Sequence, residues 1–295
     1  MFSKEDLQNK SLQPLEEENR ILLQGNEFIY LLPNSDIRDC VSNYMIAFPT
    51  EENNRYGVVP HMSAMLFIEH NIEELSLTLY GNVAKPSFVD NLSGVLIIIT
   101  FQPTGLYALT GINQSDLTSE TIPFEVVNSE LNTTISKAIK TAKDIYELVM
   151  KLDTLFMEKM KAAYPLQLKS AIQNIIDCHG NTTVKKVADE AHYSERQLNR
   201  LFVQHIGVSI KGFLRLVRVN NAFQLLENGH DNMTGISDTL GFNSLSHFIR
   251  DFKALSGFTP QEYRNVMSDF NEKQQTVRNE DTRNLIIWCP IFALT

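Results

Sequence analysis

The 295-residue chain has few cysteines, no excess of positive charge and no long apolar run. Its three cysteines, Cys40, Cys178 and Cys289, are too scattered for a disulfide framework or a zinc site, so neither a stapled scaffold nor a metal site is expected. The apolar stretches Val95 to Phe101 and Leu285 to Phe292 are too short to cross a bilayer. Met1 to Arg20 is polar and charged, unlike a secretory signal. A cytoplasmic protein with no membrane partner is expected. A formal net charge of -9 excludes a whole-surface attraction to nucleic acid. Also missing are a phosphate loop ending in Gly-Lys-Ser/Thr, a Gly-x-Ser-x-Gly elbow, a His-Glu-x-x-His helix and a Gly-x-Gly-x-x-Gly turn. No motif places a reaction, so no enzyme and no cofactor are expected.

What the chain does have is an internal repeat between Thr183 and Asn265. Val187 to Phe202, followed by Gly207-Val208-Ser209, matches Ile236 to Phe252, followed by Gly257-Phe258-Thr259-Pro260. The offset is 49 residues at Ala188/Ser237 and 50 at Leu198/Phe248, Arg200/Arg250 and Phe202/Phe252, so one residue has been gained in the turn. Each copy reads as a helix-turn-helix. Thr183 and Asn232 are capping residues whose side-chain oxygens suit a helix start. Ala188 and Ser237 are small enough for two helices to cross closely. Four residues later comes the turn, at Gly241 or His192, where a positive φ is needed. Glycine takes that backbone without strain and histidine takes it less readily. The second helix of each copy buries Leu198 and Phe202, or Phe248 and Phe252, on one face. Arg196, Asn199 and Arg200, or Ser246, His247 and Arg250, stand on another.

These motifs, with Phe213-Leu214, Arg218-Val219, Ala222, Leu225-Leu226, Leu240-Gly241-Phe242 and Tyr263-Arg264 at their spacings, resemble the DNA-binding domain of AraC/XylS-type bacterial transcription regulators. The resemblance covers residues 165–267. It implies two helix-turn-helix units joined by a long helix, about Ile210 to Leu226, each offering its second helix to the major groove. Carried over by position, the reading helices are Glu195 to Gln204 and Leu245 to Leu255. Arg196, Asn199 and Arg200 become base-edge candidates in the first, because arginine pairs bidentately with guanine and asparagine with adenine. Ser246, His247 and Arg250 are the candidates in the second, where Leu245 and Ile249 suit only thymine methyls. Lys185, Lys186 and Gln197 are placed on phosphates. Residues 165–270 carry 11 Lys+Arg against 10 Asp+Glu, so a narrow basic strip is expected, with the acid elsewhere in the chain.

The N-terminal part reads differently. Phe28 to Leu32, Met65 to Ile68, Leu75 to Tyr80 and Val95 to Phe101 are short strands bounded by turn residues. The expected fold class is α+β: residues 1–127 form a mainly β, barrel-like or sandwich-like domain for an effector or for dimerisation, with 1–27 a loosely ordered lead-in. Residues 128–164 form a helical linker, 165–267 an all-α domain of two helix-turn-helix units, and 268–295 a tail. The run Phe101 to Gly111 resembles the N-terminal domain of a subset of AraC-type regulators. By that resemblance a small-molecule effector is expected, with His61, His70, Tyr80, Phe101 and Tyr107 as candidates for its pocket, although aromatic residues on strands also serve as core. Ile135, Ala138, Ala142, Ile145, Val149, Leu152 and Phe156 recur three and four apart. That stripe suits either a partner helix in a homodimer or packing on the chain's own β domain.

The expected function is a sequence-specific transcription regulator on double-stranded promoter DNA, an activator working with RNA polymerase. The alternative is a protein-interaction regulator whose helical domain has ceased to read DNA.

Overall fold

The apolar run at 95–101 becomes the middle strand of an antiparallel sheet. The computed structural model describes residues 2–49, 56–58, 63–71, 74–81, 87–89, 94–117, 121–160, 165–227, 232–265 and 285–287. Strands β1 (Ile21–Gln24), β2 (Phe28–Leu31), β3 (Val41–Ala47), β5 (Met65–His70), β6 (Leu75–Tyr80), β8 (Val95–Phe101) and β9 (Thr121–Pro123) pair in the order β1-β2-β3-β8-β5-β6-β9. Strands β4 (Tyr56–Val58) and β7 (Ser87–Val89) pair antiparallel, and β10 (Leu285–Ile287) pairs parallel with β4. A segment of the C-terminal tail therefore joins the N-terminal strands.

Alternation along the strands divides two cores. Ile97, Ile99 and Phe101 of β8 face one side with Tyr44, Ile46, Leu66 and Ile68. Leu96 and Ile98 face the other with Phe28, Tyr30, Met45, Met65 and Phe67. A strand buried on both faces takes apolar residues at successive positions, which explains the run from Val95 to Ile99.

Helices cover the first side: α1 (Gln13–Glu17), α2 (Gly105–Thr110), α3 (Phe124–Val127), α4 (Ser129–Thr141) and α5 (Ile145–Lys159). The lead-in is ordered, contrary to expectation. Phe2, Leu7, Leu12 and Leu15 are buried in this core, and each such side chain contributes about 1.5–3 kcal/mol. The apolar stripe at 135–156 is split between two helices, with Asp144 capping the second. Ile135, Ile145, Val149, Leu152 and Phe156 are buried in the N-terminal core, so of the two readings of that stripe the structure shows the one that packs it on the chain's own β domain.

Asp153 of α5 is fully buried and takes three donors: Arg20 Nη2 at 2.5 Å, the Tyr44 hydroxyl at 2.9 Å and the Asn34 amide at 3.2 Å. Arg20 Nε donates to the Leu32 carbonyl at 2.9 Å. This cluster ties α5 to the residue that leads into β1, to the chain leaving β2 and to β3.

Then come α6 (Leu166–Asp177), α7 (Val184–Glu190), α8 (Glu195–Ile206), α9 (Ile210–Glu227), α10 (Met233–Thr239) and α11 (Leu245–Ser256), and residues 260–265 are helical as well. Leu198, Phe202 and Ile206 of α8 share a core with α6, α7 and the first half of α9. Phe248 and Phe252 of α11 share another with α10, Tyr263 and the second half of α9.

Candidate nucleic-acid interface

The two units are built alike. The Thr183 side chain accepts from the Lys186 amide at 3.2 Å, and that of Asn232 accepts from the Gly235 amide at 2.7 Å. Ala188 and Ser237 are buried where the helices cross. The turns have positive φ, 58° at His192 and 67° at Gly241. At Gly241 a Cβ would lie 2.4 Å from Asn181 Oδ1, so glycine there also admits the loop that opens the first unit. Ser194 and Ser244 then cap the reading helices α8 and α11.

Helix α9 has 18 residues, about 27 Å at 1.5 Å each, and it holds the units together. Its Arg218 lies over the Phe242 ring at 5.2 Å from the centroid. Its Arg215 Nε is 3.1 Å from Asp251 Oδ2, and Asp251 is buried on α11. The same oxygen is 3.1 Å from His247 Nε2, and Arg250 Nε is 3.7 Å from Oδ1. His247 is also set edge-on to Phe242, at 5.5 Å.

The candidates separate into exposed and engaged groups. Arg196, Arg200 and Ser246 are exposed, and the Arg250 side chain is 74% exposed. Lys185 and Lys186 are exposed on α7, Lys186 within 4.0 Å of Glu190. Asn199 is engaged: its Oδ1 accepts from the Ile210 amide at 3.1 Å, satisfying a free donor at the start of α9. A bidentate contact to adenine would break that cap. Gln197 is engaged in the same way. Its Oε1 accepts from the Ser194 amide and hydroxyl at 3.1 and 2.8 Å, closing a capping box. The phosphate role placed on it competes with that bond. His247 is held by Asp251.

Asp251 and His205 were not singled out from the sequence. The signal was in the repeat, where Leu201 and Leu255 stand at the matching positions. A charged or titratable group replacing an apolar one at a core position requires partners.

The suggested effector residues are not gathered at one place. Phe101 is buried on the helical side of the sheet beside Phe156, whereas Tyr80 packs on Phe67 on the opposite side. His70 ends β5 at the end farthest from Tyr80, which pairs with Met65. Tyr107 lies on α2, and His61 lies outside the described residues. The expectation of one pocket among these residues is corrected: strand alternation sends Phe101 and Tyr80 to opposite faces.

Tyr107 instead meets the reading domain. Its ring stands edge-on to His205 of α8, 4.4 Å between centroids, and α8 also contacts the 3-10 turn Gln114–Leu117. His205 is buried, and burial holds its imidazole below the usual histidine range. Lys169 of α6 pairs with Asp39 nearby in the chain fold. The contact falls on the C-terminal half of α8, leaving Arg196 and Arg200 exposed at the other half.

The two units are paired, capped helix-turn-helices on a shared helix, and residues 187–265 match the family model described as "Helix-turn-helix domain". Curated relatives of this part are transcriptional regulators. An uncharacterized HTH-type regulator of Bacillus subtilis, YisR, is 32% identical over 87 residues, 30% of this chain and 30% of its own. Another from that organism, YobQ, is 32% identical over 85 residues, 29% of this chain and 35% of its own. The chain thus spans about a third of the curated relatives it matches. Among solved structures, an AraC-type regulator from Chromobacterium violaceum is 27% identical with a TM-score of 0.34, over 35% of this chain and 93% of that one. The DNA-binding domain of AdpA, solved with a target DNA, is 23% identical with a TM-score of 0.35, over 36% and 97%. Among the described residues no helix is long and apolar enough to cross a membrane.

Proposed function

We propose that this chain is a sequence-specific transcription regulator that sets α8 and α11 in successive major grooves of promoter DNA. The observation carrying this is the duplicated, capped helix-turn-helix with exposed Arg196 and Arg200 on one reading helix and exposed Ser246 and Arg250 on the other. The N-terminal half acts as the sensing or assembling part, through the contact of Tyr107 and the turn at 114–117 with the back of α8. An effector bound there, or a second copy, changes how α8 is presented, and activation beside RNA polymerase is the outcome expected of this arrangement.

Selection of random duplexes by the full chain tests it. Two short blocks about 10 base pairs apart are expected, with log affinity falling linearly with log salt. Arg200→Ala should cost about 1–3 kcal/mol on the selected site and relax one position of one block. An equal loss on every duplex would make Arg200 a phosphate contact. The near balance of charge in residues 165–270 favours a second reading, a domain that binds another regulator. Failure to enrich any duplex would support that reading instead.

A further inference from the structure

We propose that the loop from Cys178 to Asn181 is a brace between the two units, and that it decides how far apart the two blocks of a recognised duplex must lie. The inference rests on the DNA-reading function above and adds to it the residues that fix spacing.

The loop is a firm extension of the first unit. At the end of α6 the Gly180 amide donates to the Ile175 carbonyl and the Asn181 amide to the Cys178 carbonyl, each at 2.8 Å, and Ile175 belongs to the first unit's core. His179 and Gly180 take positive φ, 53° and 73°. A Cβ on Gly180 would lie 2.6 Å from the Leu214 carbonyl oxygen and 2.9 Å from Arg218 Cγ, so the loop backbone lies directly against α9. Farther along α9, the Asn221 amide donates to the Val217 carbonyl at 2.8 Å, and its oxygen accepts from His179 Nδ1 at 2.9 Å. Leu214, Arg218 and Asn221 are four and three apart, on one face of the helix.

From that face the loop reaches the second unit. The Asn181 carboxamide sits over Gly241, where a Cβ would meet its Oδ1 at 2.4 Å and its Cγ at 2.7 Å. Arg218 lies over Phe242, the next residue. Elsewhere Leu255 of α11 packs against both cores. The repeat shows that the turn itself does not call for glycine, since the first unit makes the same turn with His192 at a φ of 58°. What differs at Gly241 is Asn181, which leaves no room for a side chain. The contact between units accounts for this break in the repeat.

A long helix bends, so α9 alone would let the two reading helices shift against each other. Neighbouring base pairs are about 3.4 Å apart along the duplex and about 35° apart around it. Units joined by α9 and by the loop accept one separation of the blocks, whereas hinged units would accept one base pair more or fewer. His179 and Asn181 are positioning residues that act through α8 and α11.

The test uses the full chain on the duplex it selects, and on that duplex with one base pair inserted or removed between the blocks. Affinities are compared for the wild type, Asn181→Ala, His179→Gly and the double variant. Glycine suits the positive φ at 179, so His179→Gly removes the hydrogen bond without adding strain. The wild type should bind the altered spacings roughly tenfold or more weakly, as when a good base contact is lost. In the double variant that ratio should fall to about a third of its wild-type value or less, with the base preferences of both blocks unchanged. A double variant with the wild-type ratio, an altered base preference, or a wild type indifferent to spacing would overturn the inference while leaving DNA reading intact. Selection of a single block would overturn it too, since no spacing would then be read. Should the double variant not fold, Asn181→Ala decides alone: a lowered ratio supports the brace and an unchanged one refutes it. Enrichment of no duplex by any form would refute DNA reading itself, and this inference with it.

Discussion

Replacing Asp153 with alanine should cost about 3–5 kcal/mol, the usual penalty for leaving one partner of a buried ion pair alone. The side chains of Arg20 and Asp153 are 3% and 1% exposed, so water cannot take over the lost bonds. The variant leaves the Arg20 guanidinium with the Leu32 carbonyl and, at 3.5 Å, the exposed Glu18. The Tyr44 hydroxyl and the Asn34 amide lose their acceptor as well. At about 2–4 °C per kcal/mol for a unit of this size, melting should fall by roughly 6–20 °C. Thermal unfolding at pH 7, followed by circular dichroism, measures it. The double variant Arg20→Met with Asp153→Leu should recover most of the loss, since an apolar pair of similar volume needs no partners. Titration points the same way. Burial holds the Asp153 carboxyl above its ordinary range against the pull of Arg20 and its hydrogen bonds. A raised acid favours the folded state below its unfolded value, about 3.9, and that contribution is lost as pH rises through the folded value. The ionised pair is thus a burden at neutral pH that its hydrogen bonds offset. A loss below about 1 kcal/mol in the single variant, or an equal loss in the double, would refute the reasoning.

The matched turns predict opposite signs: Gly241→Ala should destabilise by about 1–3 kcal/mol, since φ is 67° and the new Cβ meets Asn181, while His192→Gly should be neutral or stabilise by up to about 1 kcal/mol. Urea titrations of both variants check this. Asn199→Ala should lower stability by about 0.5–2 kcal/mol through the lost cap on α9, with base preferences in a duplex selection unchanged. The His205 contact should weaken in acid. Its folded value is depressed by burial, so its contribution is complete above the unfolded value, about 6.5, and is lost as pH falls toward the depressed one. Limited proteolysis between pH 8 and 5.5 should show the wild type opening, and His205→Leu should show no such dependence.

Much of the reading half was legible because its signals are local. Caps at Thr183 and Asn232, the turns at His192 and Gly241 and the small residues Ala188 and Ser237 each act within a few residues of their own backbone, and the structure has them as expected. Four strands were equally plain from apolar runs between turn residues. The strand Val41–Ala47 was not, since Ser42 and Asn43 interrupt its pattern although both are buried. The lead-in looked polar because Leu7, Leu12 and Leu15 are spread over two 3-10 turns and a short helix, with Phe2 ahead of them.

The sequence by itself therefore determined the repeat, the two reading helices and the α+β division, because periodicity, capping and turn geometry depend on neighbours along the chain. Tertiary structure alone decided that the 135–156 stripe packs inward, that Asn199 and Gln197 hold helix ends, and that Tyr107 meets His205 rather than joining a pocket. Each of those outcomes pairs groups distant in sequence or sets two claims on one side chain against each other. Only the packed chain brings the competing partners into reach.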